Sequence, residues 1–485
     1  MLNYPIIYKA LGVLLYLEAL LLGVCYASGF VLGEPCHLTF GVPALTALLL
    51  GMGFNYVGRN AENRLGRRDG FLIVSLTWVV YSLVGMMPFL LGGGETRVAA
   101  AFFETMSGLT TTGATALRDL DALPRPLLLW RSMTHWIGGM GIVFFTIAIL
   151  PNIGSGDLKL FSAEATGLKT GKLHPRISTT ARWLWSLYLL LTLACATALY
   201  LGGMNAFDAV NHGLSTVATG GFSTHTASLA FFSSPCLEWI ETVFMLLASV
   251  NFTLLYLVFV KGRVRDALRD GELRCLLLLF FAAAVSAALI MHYVDGADWE
   301  TALRAACFNT ASLQSTTGLT CEDFMSWHPT VWLILTLVSV IGGCAGSTSG
   351  GIKCIRALMA FKITRSEFRQ MLHPHAVLPV RINGTLVTPQ MGRTLLVFFL
   401  LYAALAAVSA FAMVAMGVPL LDSVGLAVSS LSNIGPSIGH IVGPLASWDC
   451  LSDAALWLNS FLMLAGRLEI FSLLLPFTAA FWRDE

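Results

Sequence analysis

The residues with the most chemical content in this chain are four short polar stretches, each closing on a glycine inside strongly apolar sequence. They are Thr110-Thr111-Thr112-Gly113, Val217-Ala218-Thr219-Gly220, Ser315-Thr316-Thr317-Gly318 and Ser432-Asn433-Ile434-Gly435. Successive glycines lie 107, 98 and 117 residues apart, which is a degenerate internal repeat. The chemistry open to such segments is cation coordination. Polar backbone at membrane depth is tolerated only where protein buries it or where it lines a wet path. Carbonyls converging on one axis can replace the hydration shell of a cation. Glycine permits the backbone angles that turn successive carbonyls the same way, and threonine adds a hydroxyl on a stiff, β-branched side chain. One segment alone would read as close helix packing through small residues. Four in register point to an ion pore.

Such segments need helices to hold them. The 485-residue chain is 56% hydrophobic and 12% charged, against roughly 25% charged in soluble domains. Crossing a bilayer takes about 20 apolar residues. Ten candidate runs fall near 8–32, 38–57, 71–92, 127–150, 182–202, 238–260, 274–294, 330–358, 394–417 and 454–481. The first lacks a convincing cleavage site and reads as a retained helix rather than a signal peptide. Between the arms of each later hairpin lies a shorter apolar stretch, at 99–110, 206–217, 299–315 and 420–432, and each leads into one of the polar turns. The expected fold is an all-α polytopic membrane protein. Four pseudo-repeated units of helix, pore helix, filter and helix (71–150, 181–262, 274–360 and 392–485) surround one ion path, and residues 1–58 add an N-terminal helix pair. A helix ending at the filter aims its negative dipole end there, roughly half an elementary charge per helix.

Charge gives the chain a direction. With a cytoplasmic N-terminus, all but six of the 29 Lys and Arg fall in or near cytoplasmic loops, the bias that sets membrane topology. The six are Arg97, Arg118, Arg125, Arg131, Arg304 and Arg467. Acids on the opposite side, among them Asp119, Asp121, Glu238, Glu241, Asp295, Asp298, Glu322, Asp323 and Asp449, would form an acidic outer vestibule that concentrates cations. Both termini are then cytoplasmic, the lipid bilayer is the first partner, and a net charge of +1 gives no reason to expect nucleic acid. The ten cysteines show no metal-ligand spacing, and no disulfide is legible among Cys36, Cys236, Cys321 and Cys450. The linkers 151–181 and 359–393 are the longest cytoplasmic stretches and the expected partner-facing surfaces.

Two features suggest a gate. The eighth run is interrupted by Gly342-Gly343-Cys344-Ala345-Gly346-Ser347-Thr348-Ser349-Gly350-Gly351, and each interior glycine costs about 1 kcal/mol of helix propensity against alanine. A break there would leave an intramembrane loop below the filter. Arg467 is the one basic residue deep within a run, where an unpartnered charge costs at least ~2.5 kcal/mol. Glu469 stands two positions on, an offset that does not align side chains on a helix, so Arg467 is expected to face the ion path. Glu18 is expected to be buried in its neutral form or at an interface, and His135 to be structural or to line the path. A membrane enzyme would need clustered ionisable groups within the spans, and only Glu18, Arg467 and Glu469 read as such. A coupled transporter of the broken-helix type would show two inverted halves instead of four units of equal polarity.

These segments, with His135-Trp136-Ile137-Gly138-Gly139-Met140-Gly141-Ile142 and Ala218-Thr219-Gly220-Gly221-Phe222-Ser223-Thr224, resemble the Trk/Ktr/HKT superfamily of potassium transporters over essentially the whole chain. The N-terminal helix pair favours its TrkH branch. The resemblance implies a potassium-selective path through the bacterial inner membrane. Its filter would comprise Thr111, Thr112, Gly113, Ala218, Thr219, Gly220, Thr316, Thr317, Gly318, Asn433, Ile434 and Gly435. It also implies a gate formed by Gly342, Gly343, Gly346, Ser347, Thr348, Ser349, Gly350, Gly351 and Arg467, since the family carries a mobile intramembrane loop and a similar arginine. Further implications are a homodimer and a cytosolic TrkA-type ring that binds the regulatory nucleotide, with no cofactor on this chain and potassium as substrate. Each segment keeps only part of the Thr-Val-Gly-Tyr-Gly loop of strict potassium channels, so rubidium is expected to pass as well. The alternative function is a potassium symporter coupled to protons or sodium.

Overall fold

The computed structural model describes residues 2–34, 36–61, 66–93, 95–141, 177–376 and 378–483. Among them, six helices are long and apolar enough to cross a membrane: Tyr4–Leu32, His37–Val57, Arg68–Leu91, Ala181–Leu201, Gly271–Tyr293 and Pro389–Ala415. Two more spans are bent pairs. Pro235–Ser249 turns by 106° into Phe252–Phe259, and Asp453–Arg467 turns by 114° into Phe471–Phe477. The other two expected spans are shorter as helices. Arg125–Gly139 covers the first part of 127–150, whose end lies outside the described residues, as does most of the 151–181 linker. Pro329–Ile341 stops at the glycine-rich stretch, and a separate helix, Cys354–Leu372, begins beyond it.

The interruption of the eighth run was expected from its glycines. The other two breaks were not, because they use ordinary residues. Val250 is extended, and the Asn251 side chain accepts from the Thr253 N–H at 2.8 Å, starting a new helix after a bend. In the fourth unit, Glu469 and Ile470 hold φ of 55° and 60°, values that stop a right-handed helix.

The short helices are Val98–Leu109, Ala206–Val217, Trp299–Gln314 and Leu420–Ser432. At 1.5 Å per residue they extend roughly 18–24 Å, less than the ~30 Å hydrocarbon core. Two start on side-chain caps, Asn205 to the Asp208 N–H at 2.9 Å and Asp298 to the Glu300 N–H at 3.1 Å. Their buried lengths place them inside the bundle: every residue from Ala99 to Leu109 is buried, and so is the run from Phe308 to Gln314. The N-terminal helices Tyr4–Leu32 and His37–Val57 pack on each other, and the first also lies against Arg67–Gly85 and Arg125–Gly139. Cys354–Leu372 is followed by a hairpin pairing Arg381–Ile382 with Thr385–Leu386. Asn383 and Gly384, both at positive φ, form its turn.

Candidate ion-conducting site

All four short helices end in the same way. In each, an N–H just past the end (two residues on in the first three, one in the fourth) donates three residues back and the next N–H five back. The first helix shows Thr111 to Gly108 and Thr112 to Ser107, the second Thr219 to Thr216 and Gly220 to Ser215. The third shows Thr316 to Leu313 and Thr317 to Ser312, the fourth Asn433 to Ser430 and Ile434 to Ser429. This is the Schellman termination, whose left-handed residue is usually glycine, sometimes asparagine. Here it is Thr111, Thr219, Thr316 and Asn433, with φ of 54°, 54°, 59° and 56°. Positive φ is a genuine outlier for a β-branched residue and costs on the order of 1–3 kcal/mol at each of the three threonines. Two of the three threonines have side-chain contacts to other elements: Thr111 Oγ1 accepts from Arg467 and Thr316 Oγ1 from the Gly350 N–H.

Two residues further on in each segment stands a glycine at positive φ: Gly113 at 81°, Gly221 at 83°, Gly318 at 81° and Gly435 at 98°. The second segment is thus shifted one residue from the sequence reading. Thr219, Gly220 and Gly221 match the other triplets, whereas Ala218 caps the helix in the place of Thr110 and Ser315. Gly220 is needed for another reason: a Cβ there would collide with the His135 ring. The four glycines close a ring. A Cβ on Gly113 would strike the Gly220 carbonyl, one on Gly221 the Thr317 carbonyl, one on Gly318 the Ile434 carbonyl, and one on Gly435 the Thr112 carbonyl. Each segment abuts the next and the fourth returns to the first. Among the described residues no backbone N–H donates to the carbonyls of Thr112, Gly220, Thr317 or Ile434, so these oxygens are available to a cation. Gly113, Gly221, Gly318 and Gly435 all line a single mouth.

That mouth is not the acidic vestibule expected from the loops. Its ionisable lining residues are Arg131 and His225. Arg131, 1% exposed, donates to Glu104 at 2.8 Å and to the Ser223 carbonyl at 2.8 Å, and its guanidinium covers the Phe222 ring at 3.9 Å. Glu104, fully buried, also accepts from Thr115 Oγ1 at 3.0 Å and the Ala116 N–H at 2.9 Å. The pair therefore clamps the backs of the first two filter segments. His225 bridges Asp121 at 2.5 Å and Asp208 at 3.3 Å. Partial burial works against ionisation of Asp121, but the His225 hydrogen bond and the Thr226 N–H outweigh it and hold its carboxyl below the usual range. Glu238 pairs with Arg304. Glu241 is fully buried, accepts from Thr216 Oγ1 at 2.7 Å and lies 3.6 Å from His212. Glu104, Arg131, His212 and Glu241 are thus parts of the site that sequence reasoning missed or assigned to solvated loops. The spacing between such partners carries no helical signal.

His135 is wholly buried, donor or acceptor to Ser215 Oγ at 3.0 Å, and stacked on Phe222 at 4.0 Å, as a structural residue should be. Glu18 is buried at mid-helix beside Gly85, and neither of its oxygens has a partner among the described residues.

The glycine-rich stretch lies directly beneath the ring. Gly350 donates its N–H to Thr316 Oγ1 at 2.6 Å, and the Gly351 N–H donates to the Ser432 carbonyl at 2.9 Å. Thr348 Oγ1 donates to the Val217 and Ala248 carbonyls at 3.1 and 3.2 Å. The Gly346 carbonyl accepts from the Phe252 N–H at 3.0 Å, and Ser347 Oγ bonds Ser349 Oγ at 2.6 Å. Positive φ at Gly342, Gly346 and Gly351 folds the strand back on itself, and a Cβ on Gly343 would strike Ser349 Oγ. Arg467 does not sit within a continuous helix, as the sequence reading had it, but at the end of one. It donates to the Thr348 carbonyl at 3.0 Å, the Gly139 carbonyl at 2.8 Å, the Gly138 carbonyl and Thr111 Oγ1 at 3.3 Å. Glu469 instead pairs with Arg356 at 2.5 Å. Loop and arginine together touch the inner end of every filter segment, and two of the left-handed threonines are the contact points.

Comparison with known proteins gives a consistent result. The family model TrkH, "Cation transport protein", matches residues 45–484. The Trk system potassium uptake protein TrkH of Salmonella typhimurium is 39% identical over 441 residues, covering 90% of this chain and 91% of that protein. TrkH of Halomonas elongata is 37% identical over 487 residues, covering 98% and 99%. The crystal structure of the potassium transporter TrkH from Vibrio parahaemolyticus superimposes with a TM-score of 0.90 at 35% identity, covering 99% of this chain and all of that one.

Proposed function

The chain belongs to the TrkH family of cation transport proteins, and from that premise we propose that it admits potassium into the bacterial cell across the inner membrane. The observation that carries this reading is the closed ring in which four glycines abut four carbonyls with no backbone donor. Around it stand four helix C-termini, each bringing roughly half a negative charge. Potassium, and with it rubidium, is the expected cargo. Units 71–150, 181–262, 274–360 and 392–485 form the walls, and residues 1–58 form an accessory pair.

The stretch from Gly342 to Gly351 and Arg467 act as the gate, because they cross the path beneath the ring and place a fixed positive charge there. The basic side is cytoplasmic, so both termini and the Cys354–Leu372 helix face the cytosol. That side receives a TrkA-type nucleotide-binding ring, the chain works as a homodimer, and it carries no cofactor of its own. An inside-negative potential supplies ~2.3 kcal/mol per charge per 100 mV, enough to sustain about a fortyfold gradient.

Potassium-limited growth of a bacterium stripped of its own uptake systems tests the reading, with Gly318→Asp as control. Rescue by the wild-type chain, lost in the membrane-inserted variant, is the expected result. Rescue by both would remove the ring from the path. Failure of the wild type, even beside its regulatory ring, would exclude potassium uptake.

A further inference from the structure

Within residues 110–113, 218–221, 315–318 and 432–435, the described structure contains one side-chain hydrogen bond between neighbouring walls. Asn433 Nδ2 donates to Thr112 Oγ1 at 3.1 Å, and also to the Met463 carbonyl at 2.8 Å. The second contact fixes the orientation of the amide, since a carbonyl can only accept. Thr112 Oγ1 is then an acceptor from Asn433, and its own proton goes to Thr110 Oγ1 at 2.8 Å. That hydroxyl in turn donates to the Met106 carbonyl at 2.7 Å. A directed chain thus runs from the fourth wall into the last turn of the first short helix. The third wall has the same hydroxyl pair, Ser315 with Thr317 at 2.6 Å, but Thr317 receives no side-chain donor from a neighbouring wall among the described residues. At the fourth seam, as at the other three, the glycine leaves no room for a side chain: a Cβ on Gly435 would lie 2.5 Å from the Thr112 carbonyl. Thr112 is therefore held through its hydroxyl, one residue from the Gly113 that abuts the next wall.

We propose that the Asn433 side chain is a positioning residue for cation selectivity, locking the seam between the fourth and first walls so that the Thr112 carbonyl cannot close around a smaller ion. Asparagine suits the task because it tolerates the left-handed angle and carries an amide donor that threonine lacks. The inference rests on the potassium reading above and adds to it a determinant of potassium over sodium.

The test is the sodium-to-potassium flux ratio of the full-length chain in liposomes, for wild type, Asn433→Gly, Thr112→Val and the double variant. Asn433→Gly keeps the backbone angle and removes the strap, and Thr112→Val keeps the β-branched shape and removes the acceptor. Each is expected to raise the ratio by about tenfold, the order of one lost hydrogen bond, with no further rise in the double variant. Thr112→Ser, which retains the hydroxyl acceptor, is expected to raise the ratio less than Thr112→Val does. A ratio unchanged to within about twofold in Thr112→Val, or in a correctly inserted Asn433→Gly, would overturn the proposal. Wild-type liposomes that pass no potassium would overturn the potassium reading and this inference with it, an outcome distinct from an unchanged ratio.

Discussion

The filter ring and the layer of helix breaks beneath it are built on opposite plans. In the ring, four segments of dissimilar sequence share one hydrogen-bond pattern, one left-handed position and one glycine contact. In the layer below, the described breaks differ from one another. The second unit bends at Asn251, the third leaves the helix from Gly342 to Lys353, and the fourth ends on Arg467 followed by two left-handed residues. Cation coordination requires oxygens from all walls at one height, so each wall is held to the same geometry. Blocking a path requires only one obstruction, which leaves the other units free to diverge into its anchors. Four equal parts form the ring and unequal parts lie beneath it.

Further substitutions bear on that contrast, beginning with the largest effect. Gly221→Ala should abolish flux, since it forces a Cβ at φ 83° onto the Thr317 carbonyl. Ala218→Gly, at an ordinary right-handed angle, should leave flux near wild type. Potassium flux into liposomes measures both, and the reverse outcome would restore the register read from sequence.

Next in size is the buried clamp behind the first two walls. Glu104→Gln leaves Arg131 buried and uncompensated, a loss of about 3–5 kcal/mol, seen as a lower unfolding temperature in detergent. Methionine at both positions should recover much of that loss, because removing both charges also removes their desolvation cost. If the single change is silent, the equality of the walls does not depend on this pair.

Arg467→Gln should have the smallest effect, raising basal flux about tenfold by removing charge-assisted hydrogen bonds while leaving the sodium-to-potassium ratio unchanged. A changed ratio would mean that the two layers are not separate devices.

The short helices and the polar turns that follow them were legible because they recur, and repetition turns a weak local signal into a strong one. The break at Gly342 was legible from glycine density. The register of the second segment was not, because Gly220 and Gly221 are adjacent and only their surroundings tell them apart: the His135 ring behind one, the Thr317 carbonyl before the other. The bends at Asn251 and after Arg467 were hidden because each lies in sequence apolar enough to continue as helix. Glu104 and Arg131 read as unrelated charges, 27 residues apart, until folding brought them together.

Sequence alone determined that this chain is a multi-spanning helical membrane protein with four re-entrant polar turns and a strongly basic side. Those properties follow from composition, apolar run length and local backbone preference, each carried by neighbouring residues. Only the tertiary structure decided which glycine faces the ring, which charges are buried partners and which residues lie beneath the filter. Those depend on contacts between segments about a hundred residues apart, where close packing at a shared axis, rather than any local pattern, selects the neighbour.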